Sequence, residues 1–236
     1  MPFHILAKRE DIAERAVVVG DPGRARFVAQ KLSNARLVNE HRGLLTYTGS
    51  WKGKQVTIST HGMGGAGASI IFEELIQLGV KVLIRLGTTG GIRRGVKVGD
   101  IVIPTAAMHP PGGIYGMYAG SICPSPAPDF HVLKLLVEEA EKAGIKPWIA
   151  PIFSSDAFYV ETEKLAEQWA ELGAVSVEME CATLFMIARL RGARAGALLL
   201  VNGSLVENVD RLVLEKKLKG ALDKAVEIAL NALVRV

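Results

Sequence analysis

The stretch from Val175 to Gly203, VSVEMECATLFMIARLRGARAGALLLVNG, leaves few ways to fold. A β-branched apolar run (Val175, Val177) breaks at Glu178-Met179-Glu180, and a helix-periodic segment follows from Cys181 to Arg191. After a turn at Gly192 a second apolar run, Ala197 to Val201, stops abruptly on Asn202-Gly203-Ser204. Strand, helix and strand in that order form a crossover unit, so an α/β fold is expected, with the two strands as parallel neighbours and their carboxyl ends side by side. Ligands bind at that edge in open α/β sheets. Glu178, Glu180 and Asn202 are thereby expected to share one site.

The rest of the chain continues the alternation. A first strand, Ala16 to Val19, runs into Gly20-Asp21-Pro22-Gly23-Arg24 before a helical pattern from Phe27 to Leu32. Glycines at a helix N-terminus beside an arginine suit an anion cradle, and they equally suit an ordinary strand-to-helix turn with a solvated Arg24. Asn39 to Gly43 is a polar knot containing Arg42, and Leu44 to Thr48 then pairs with Gln55 to Thr60 as a hairpin. Gly62 to Gly67 satisfies G-x-G-x-x-G between a strand and a helix (Ala68 to Leu78). A dinucleotide site needs an acid at the end of the next strand, Val82 to Leu86, which carries Arg85 instead. The glycines are therefore assigned to close packing or to backbone contact with a substrate.

Arg85 carries more weight. An arginine inside an apolar strand must be paired or must hold an anion, because burying it unpaired is costly. Thr88 and Thr89 offer hydroxyls beside it and favour an oxyanion over a structural pair with Glu73 or Glu74. Beyond it come a strand at Gly99 to Pro104, an irregular loop from His109 to Pro128, a helix from Asp129 to Ala143 and a strand from Trp148 to Phe153. The aromatic pair Phe158-Tyr159, a helix from Thr162 to Leu172 and a closing helix from Leu212 to Leu233 complete the pattern. No repeat or linker interrupts it, so residues 1–236 read as a single domain.

Composition excludes several classes. Hydrophobic residues make up 49%, which fits a sheet buried on both faces with apolar surface left for a subunit interface. No apolar run approaches the ~18 residues of a membrane span. The opening MPFHILAKREDIAER has no signal-peptide core, and Cys123 and Cys181 are too few for a disulfide framework or a zinc cluster, so a cytoplasmic protein without a metal is expected. The net charge of +4 is spread along the chain and only 6% of residues are aromatic, which suits a small anionic ligand better than nucleic acid.

In combination and order, the motifs VVVGDPGRAR, NEHRGLLTYTG, THGMGG, IRLGTTGGI, SSDAFY and VEMECATLF resemble the hexameric, bacterial-type nucleoside phosphorylases over nearly the whole chain. The resemblance implies a three-layer α-β-α fold around a mixed, partly barrel-like sheet. It also implies phosphorolysis of an N-glycosidic bond, with inorganic phosphate as co-substrate and no other cofactor. Gly20, Arg24, Arg85 and Thr88 match the phosphate site. His4 and Arg42 match residues that reach a neighbouring subunit's site, toward the ribose 5'-hydroxyl and the phosphate, which implies a homo-oligomer, a hexamer built as a trimer of dimers. Met179 and Glu180 match the ribose clamp, and Phe158 and Glu178 the base pocket. Glu180 and Arg85 of these, together with Asn202, are expected to carry the chemistry.

The chain departs from the purine-specific pattern at Asn202, where many members carry an aspartate. An amide is no general acid, but it can donate to one ring atom and accept from another, which suits a 6-oxopurine and disfavours adenosine. The uridine-cleaving branch also carries Asn, yet where that branch places a Gln and two Arg for uracil this chain has Thr162, Lys164 and Gly203, so the usual uracil clamp is missing. Guanosine and inosine are favoured, with uridine as the alternative and methylthioadenosine phosphorolysis or non-catalytic nucleoside binding behind it. A hydrolytic nucleosidase lacks the set Arg24, Arg42 and Arg85.

Overall fold

The computed structural model describes residues 2–207 and 211–236, and of residues 211–217 and 219 the backbone alone. Alternation sets the first half. In β1 (Arg15–Val19), Val17 and Val19 face one apolar layer and Ala16 and Val18 the other, the two-residue period of a strand buried on both faces. Asp21 caps α1 (Pro22–Ala29) and proline opens it, so this helix begins earlier than its apolar pattern suggests. β2 (Ser33–Asn39) is an exposed edge strand against β3 (Thr46–Trp51), which forms the expected hairpin with β4 (Lys54–Thr60). Lys52 and Gly53, both at positive φ, make its two-residue turn. α2 (Gly65–Gln77) then leads to β5 (Val82–Gly91).

In the second half come β6 (Ile101–Met108), α3 (Gly113–Ala119), α4 (Phe130–Lys142) and β7 (Trp148–Ser154). α3 lies inside the segment expected to be irregular. Then follow α5 (Glu163–Glu171), the short β8 (Ser176–Glu178), α6 (Cys181–Leu190), β9 (Arg194–Ser204) and α7 (Arg211–Leu233). Asp129 and Thr162 cap α4 and α5 by accepting from Val132 N and Leu165 N.

Among the described residues the strands form one mixed, nine-stranded sheet in the order β2-β3-β4-β1-β5-β8-β7-β6-β9. β5 also pairs with β9, so the strands from β5 to β9 close into a barrel and β1 to β4 extend from it as an open wing. α2 and α6 pack on one face, and α1, α4 and α7 on the other. α6 is buried from Cys181 to Ala188, so it reads as apolar all round.

One expectation fails. β8 and β9 are not parallel neighbours: β5 lies between them, antiparallel to β8 and parallel to β9. The crossover rule assumes an open sheet, whereas here β5 runs on through Gly87-Thr88-Thr89-Gly90-Gly91 and serves a strand on each edge. Gly90 pairs with Val177 on one side and Gly203 on the other. Glu178 and Asn202 still meet, by flanking the carboxyl end of β5.

Candidate active site

A cavity of about 1050 Å³ opens where β1, β4, β5, β8 and β9 end. Its wall includes Gly20, Arg24, Arg42, Arg85 and Thr88, and opposite them Phe158, Glu178, Met179, Glu180 and Asn202. His4 is the one sequence-derived candidate that does not line it.

Arg85 is the hub. Odd-numbered positions of β5 face α2 and α6, which sets its side chain among the N-termini of those helices, and it is 4% exposed. Its Nε donates to Glu178 Oε2 at 3.1 Å, and Nη2 reaches Glu178 Oε2 at 3.0 Å and Glu180 Oε2 at 2.5 Å. Nη1 donates to His61 Nε2 at 3.1 Å. Glu73 and Glu74, the structural partners considered from the sequence, are engaged elsewhere, with Arg191 and with the N-terminal segment. Burial opposes the Arg85 charge, but Glu180 and Glu178 outweigh it and raise its pKa. Two carboxylates share this one guanidinium, so Glu180 has less than a full partner. Burial first, then the Glu178 charge, push it above the ordinary carboxylate range against the pull of Arg85.

Glu178 is spent on structure. It accepts from Ser154 Oγ at 2.5 Å, from Glu180 N at 2.8 Å and from Cys181 N at 3.0 Å, tying β7, the start of α6 and Arg85 together. With its side chain 1% exposed and both oxygens engaged, it borders the cavity without a free acceptor for a base. Glu180 Oε1 accepts from Gly64 N at 2.6 Å, at the start of α2. The glycine-rich loop thus supplies a backbone contact, and it also allows close packing, since a Cβ on Gly65 would meet Thr183 Oγ1 of α6 at 2.5 Å. Burial, then the Glu178 charge, raise the Cys181 thiol well above its usual range, which rules against a nucleophile.

On the opposite side, Arg24 donates to Leu86 O at 3.4 Å, and burial followed by the Arg85 charge lowers its pKa. The α1 N-terminus itself is occupied: Asp21 accepts from Gly23 N at 2.8 Å and Arg24 N at 3.2 Å. The expected cradle therefore reduces to Gly20 and the Arg24 side chain. Arg42, at φ 57, is exposed on the rim of this chain's own cavity.

A β-bulge aims Asn202. Thr89 pairs with Val201 and Gly90 with Gly203, so Asn202 is the unpaired extra residue and its side chain turns outward to the cavity. Phe158 and Tyr159 stand exposed at the mouth with rings edge to face. Of the positions matching uracil contacts, Thr162 caps α5 and Gly203 has no side chain to offer. His4 lies outside, its Nδ1 2.8 Å from Glu74 Oε1. His61 and Ser154 were not singled out from the sequence: each stands at a strand end inside a motif, THGMGG or SSDAFY, but only the fold brings it to Arg85 or Glu178. Among the described residues no three His, Cys, Asp or Glu side chains are grouped to hold a metal, and no helix is long and apolar enough to cross a membrane.

Residues 14–236 match the family model described as phosphorylase superfamily. The chain is 36% identical over 236 residues to a DeoD-type purine nucleoside phosphorylase of Clostridium perfringens, covering 99% of each. It is 35% identical over 234 residues to a guanosine phosphorylase of Halorubrum lacusprofundi, covering 97% of this chain and 96% of that one. A crystal structure of uridine phosphorylase from Vibrio fischeri superposes with a TM-score of 0.92 over 100% of this chain and 98% of that one, at 24% identity, and so shares the fold. The chain belongs to the phosphorylase superfamily, among the bacterial-type nucleoside phosphorylases that its motifs resemble.

Proposed function

We propose that this protein cleaves the N-glycosidic bond of 6-oxopurine nucleosides, guanosine and inosine, with inorganic phosphate, releasing the base and ribose 1-phosphate. The observation that carries the reading is Arg85, a buried cation that shares one cavity with Arg24, Thr88 and the carboxylate of Glu180. Phosphate is a weak nucleophile, so the bond breaks through an oxocarbenium-like sugar. Arg24 and Arg85 hold the phosphate as positioned charge, joined by the Arg42 that a neighbouring subunit contributes, with Thr88 and the Gly20 backbone beside it. Glu180 accepts from the ribose hydroxyls and favours the positive charge developing on the ring, and Met179 packs on the sugar. Phe158 flanks the base, and Asn202 bonds its ring as it departs. Glu178 acts by holding Arg85 and α6.

No cofactor beyond phosphate enters this scheme. His4 and Arg42 complete a neighbouring subunit's site in a hexamer, with Glu74 orienting His4 and Arg42 exposed at the cavity rim. Two free thiols, Cys123 and Cys181, suit the reducing cytoplasm. A second reading, uridine phosphorolysis, is favoured by Asn202 itself. Initial rates on guanosine, inosine, adenosine, uridine and methylthioadenosine in phosphate buffer separate the two. Faster turnover of guanosine and inosine supports the first, and faster turnover of uridine the second.

A further inference from the structure

His61 takes no part in the scheme above, yet it is 2% exposed and sits directly behind the proposed anion site. It follows β4, where its backbone N donates to Val19 O at 2.8 Å, and it does not line the cavity. Its ring is fixed on two sides, edge to face on Phe72 with centroids 5.3 Å apart and against Arg85 Nη1 at 3.1 Å. Arginine only donates, so His61 Nε2 must be the bare nitrogen and the ring proton sits on Nδ1.

We infer that His61 is a positioning residue for phosphate, a neutral acceptor that fixes the Arg85 guanidinium without cancelling its charge. The Glu178 and Glu180 carboxylates already hold Nε and Nη2, so two acidic side chains share this one guanidinium. A third anionic partner at Nη1 would turn the cluster further against an incoming anion. A residue without an acceptor would leave a buried N–H unpaired and the guanidinium free to rotate. An imidazole kept neutral meets both demands. Burial and then the neighbouring Arg85 charge hold its pKa well below the usual histidine value.

The inference rests on phosphate binding at Arg85, and calorimetry with inorganic phosphate tests it independently of turnover. In His61→Gln the amide occupies the position of Nε2 and keeps an uncharged acceptor, in His61→Leu the acceptor is gone, and in His61→Glu it carries charge. His61→Leu is expected to weaken phosphate binding by about tenfold or more, and His61→Gln to recover most of that loss. In steady state the phosphate KM should rise in His61→Leu while the nucleoside KM stays within about twofold, a split that general loosening of the fold does not produce. If His61→Leu does not fold, the comparison of His61→Glu with His61→Gln decides, with weaker phosphate binding expected for the glutamate. Wild-type affinity in His61→Leu, equal loss in His61→Leu and His61→Gln, or equal affinity in His61→Glu and His61→Gln overturns the inference. Wild-type protein that binds phosphate but releases no base contradicts the proposed reaction and leaves this comparison standing, whereas absence of phosphate binding overturns both.

Discussion

Arg85 Nη2 donates to Glu180 Oε2 across 2.5 Å, so the cation proposed for phosphate and the carboxylate proposed for ribose are each other's partners. On that proposed reading, a sugar whose hydroxyls donate to Glu180 competes with Arg85 for that carboxylate and frees Nη2 to donate to an incoming anion while Nε and Nη1 stay held. Nucleoside and phosphate should therefore bind with positive coupling, whichever comes first. Calorimetric titration of phosphate with and without a nucleoside whose glycosidic bond resists cleavage should show a tightening of about fivefold or more, and equal affinities contradict the coupling. Glu180→Gln removes the charge, and it should abolish the coupling and lower kcat by roughly 100-fold in a protein that still unfolds cooperatively.

Gly87 makes room for the Arg85 side chain lying along β5. A Cβ there would stand 2.7 Å from Cζ and 2.9 Å from each terminal nitrogen of a guanidinium already held by Glu178, Glu180 and His61. Gly87→Ala should therefore displace Arg85 and weaken phosphate binding by about tenfold or more, since the charge-assisted bonds depend on its geometry. The phosphate dependence of turnover measures this, and an unchanged phosphate KM would show that Arg85 adapts.

The bulge at Asn202 points its amide at the cavity, with no hydrogen bond to it among the described residues. Asn202→Asp places a titratable carboxyl where the base departs, and a carboxylic acid can protonate a ring nitrogen that an amide cannot. The ratio of adenosine to inosine turnover should rise by about tenfold or more. A constant ratio would mean that Asn202 does not set the base preference.

Glu74 ties down the N-terminal segment. Its carboxylate accepts from the backbone N of Phe3 at 2.9 Å, of His4 at 3.0 Å and of Ile5 at 2.7 Å, and meets His4 Nδ1 at 2.8 Å. Burial alone would raise its pKa, but the bonds from His4 and from these amides prevail and lower it from 4.5. A carboxyl whose folded pKa is depressed contributes stability that is fully present above the unfolded value and is lost as pH falls through the folded one. Glu74→Gln should cost about 1–3 kcal/mol at neutral pH, and the gap to wild type should narrow as pH drops below about 4. Denaturant unfolding of both proteins at neutral pH and at about pH 3 checks this, and a gap that does not narrow contradicts it.

Much of this architecture is legible locally. The hairpin of β3 and β4, the helix that opens at Asp129 and the first strand at Ala16 to Val19 all follow from a few neighbouring residues, and each is found where it is expected. Strand order is different in kind. That β5 separates β8 from β9 depends on barrel closure, which brings together residues far apart in the chain, such as Val82 and Arg194, and leaves no periodic trace. The same holds at the site. Arg85 stands out as a charge in an apolar strand, but its partners do not, because His61 and Ser154 look like ordinary polar residues at strand ends. Asn202 is visible as a strand terminator, while the bulge that aims it appears only in the register of β9 against β5.

The most direct measurement is product analysis after incubation with inosine or guanosine, with and without inorganic phosphate. The arrangement of Arg24, Arg85, Thr88 and Glu180 around one cavity predicts free base and ribose 1-phosphate in equal amounts, formed only when phosphate is present. Release of free ribose at the same rate without phosphate, or nucleoside binding with no release of base, would contradict it.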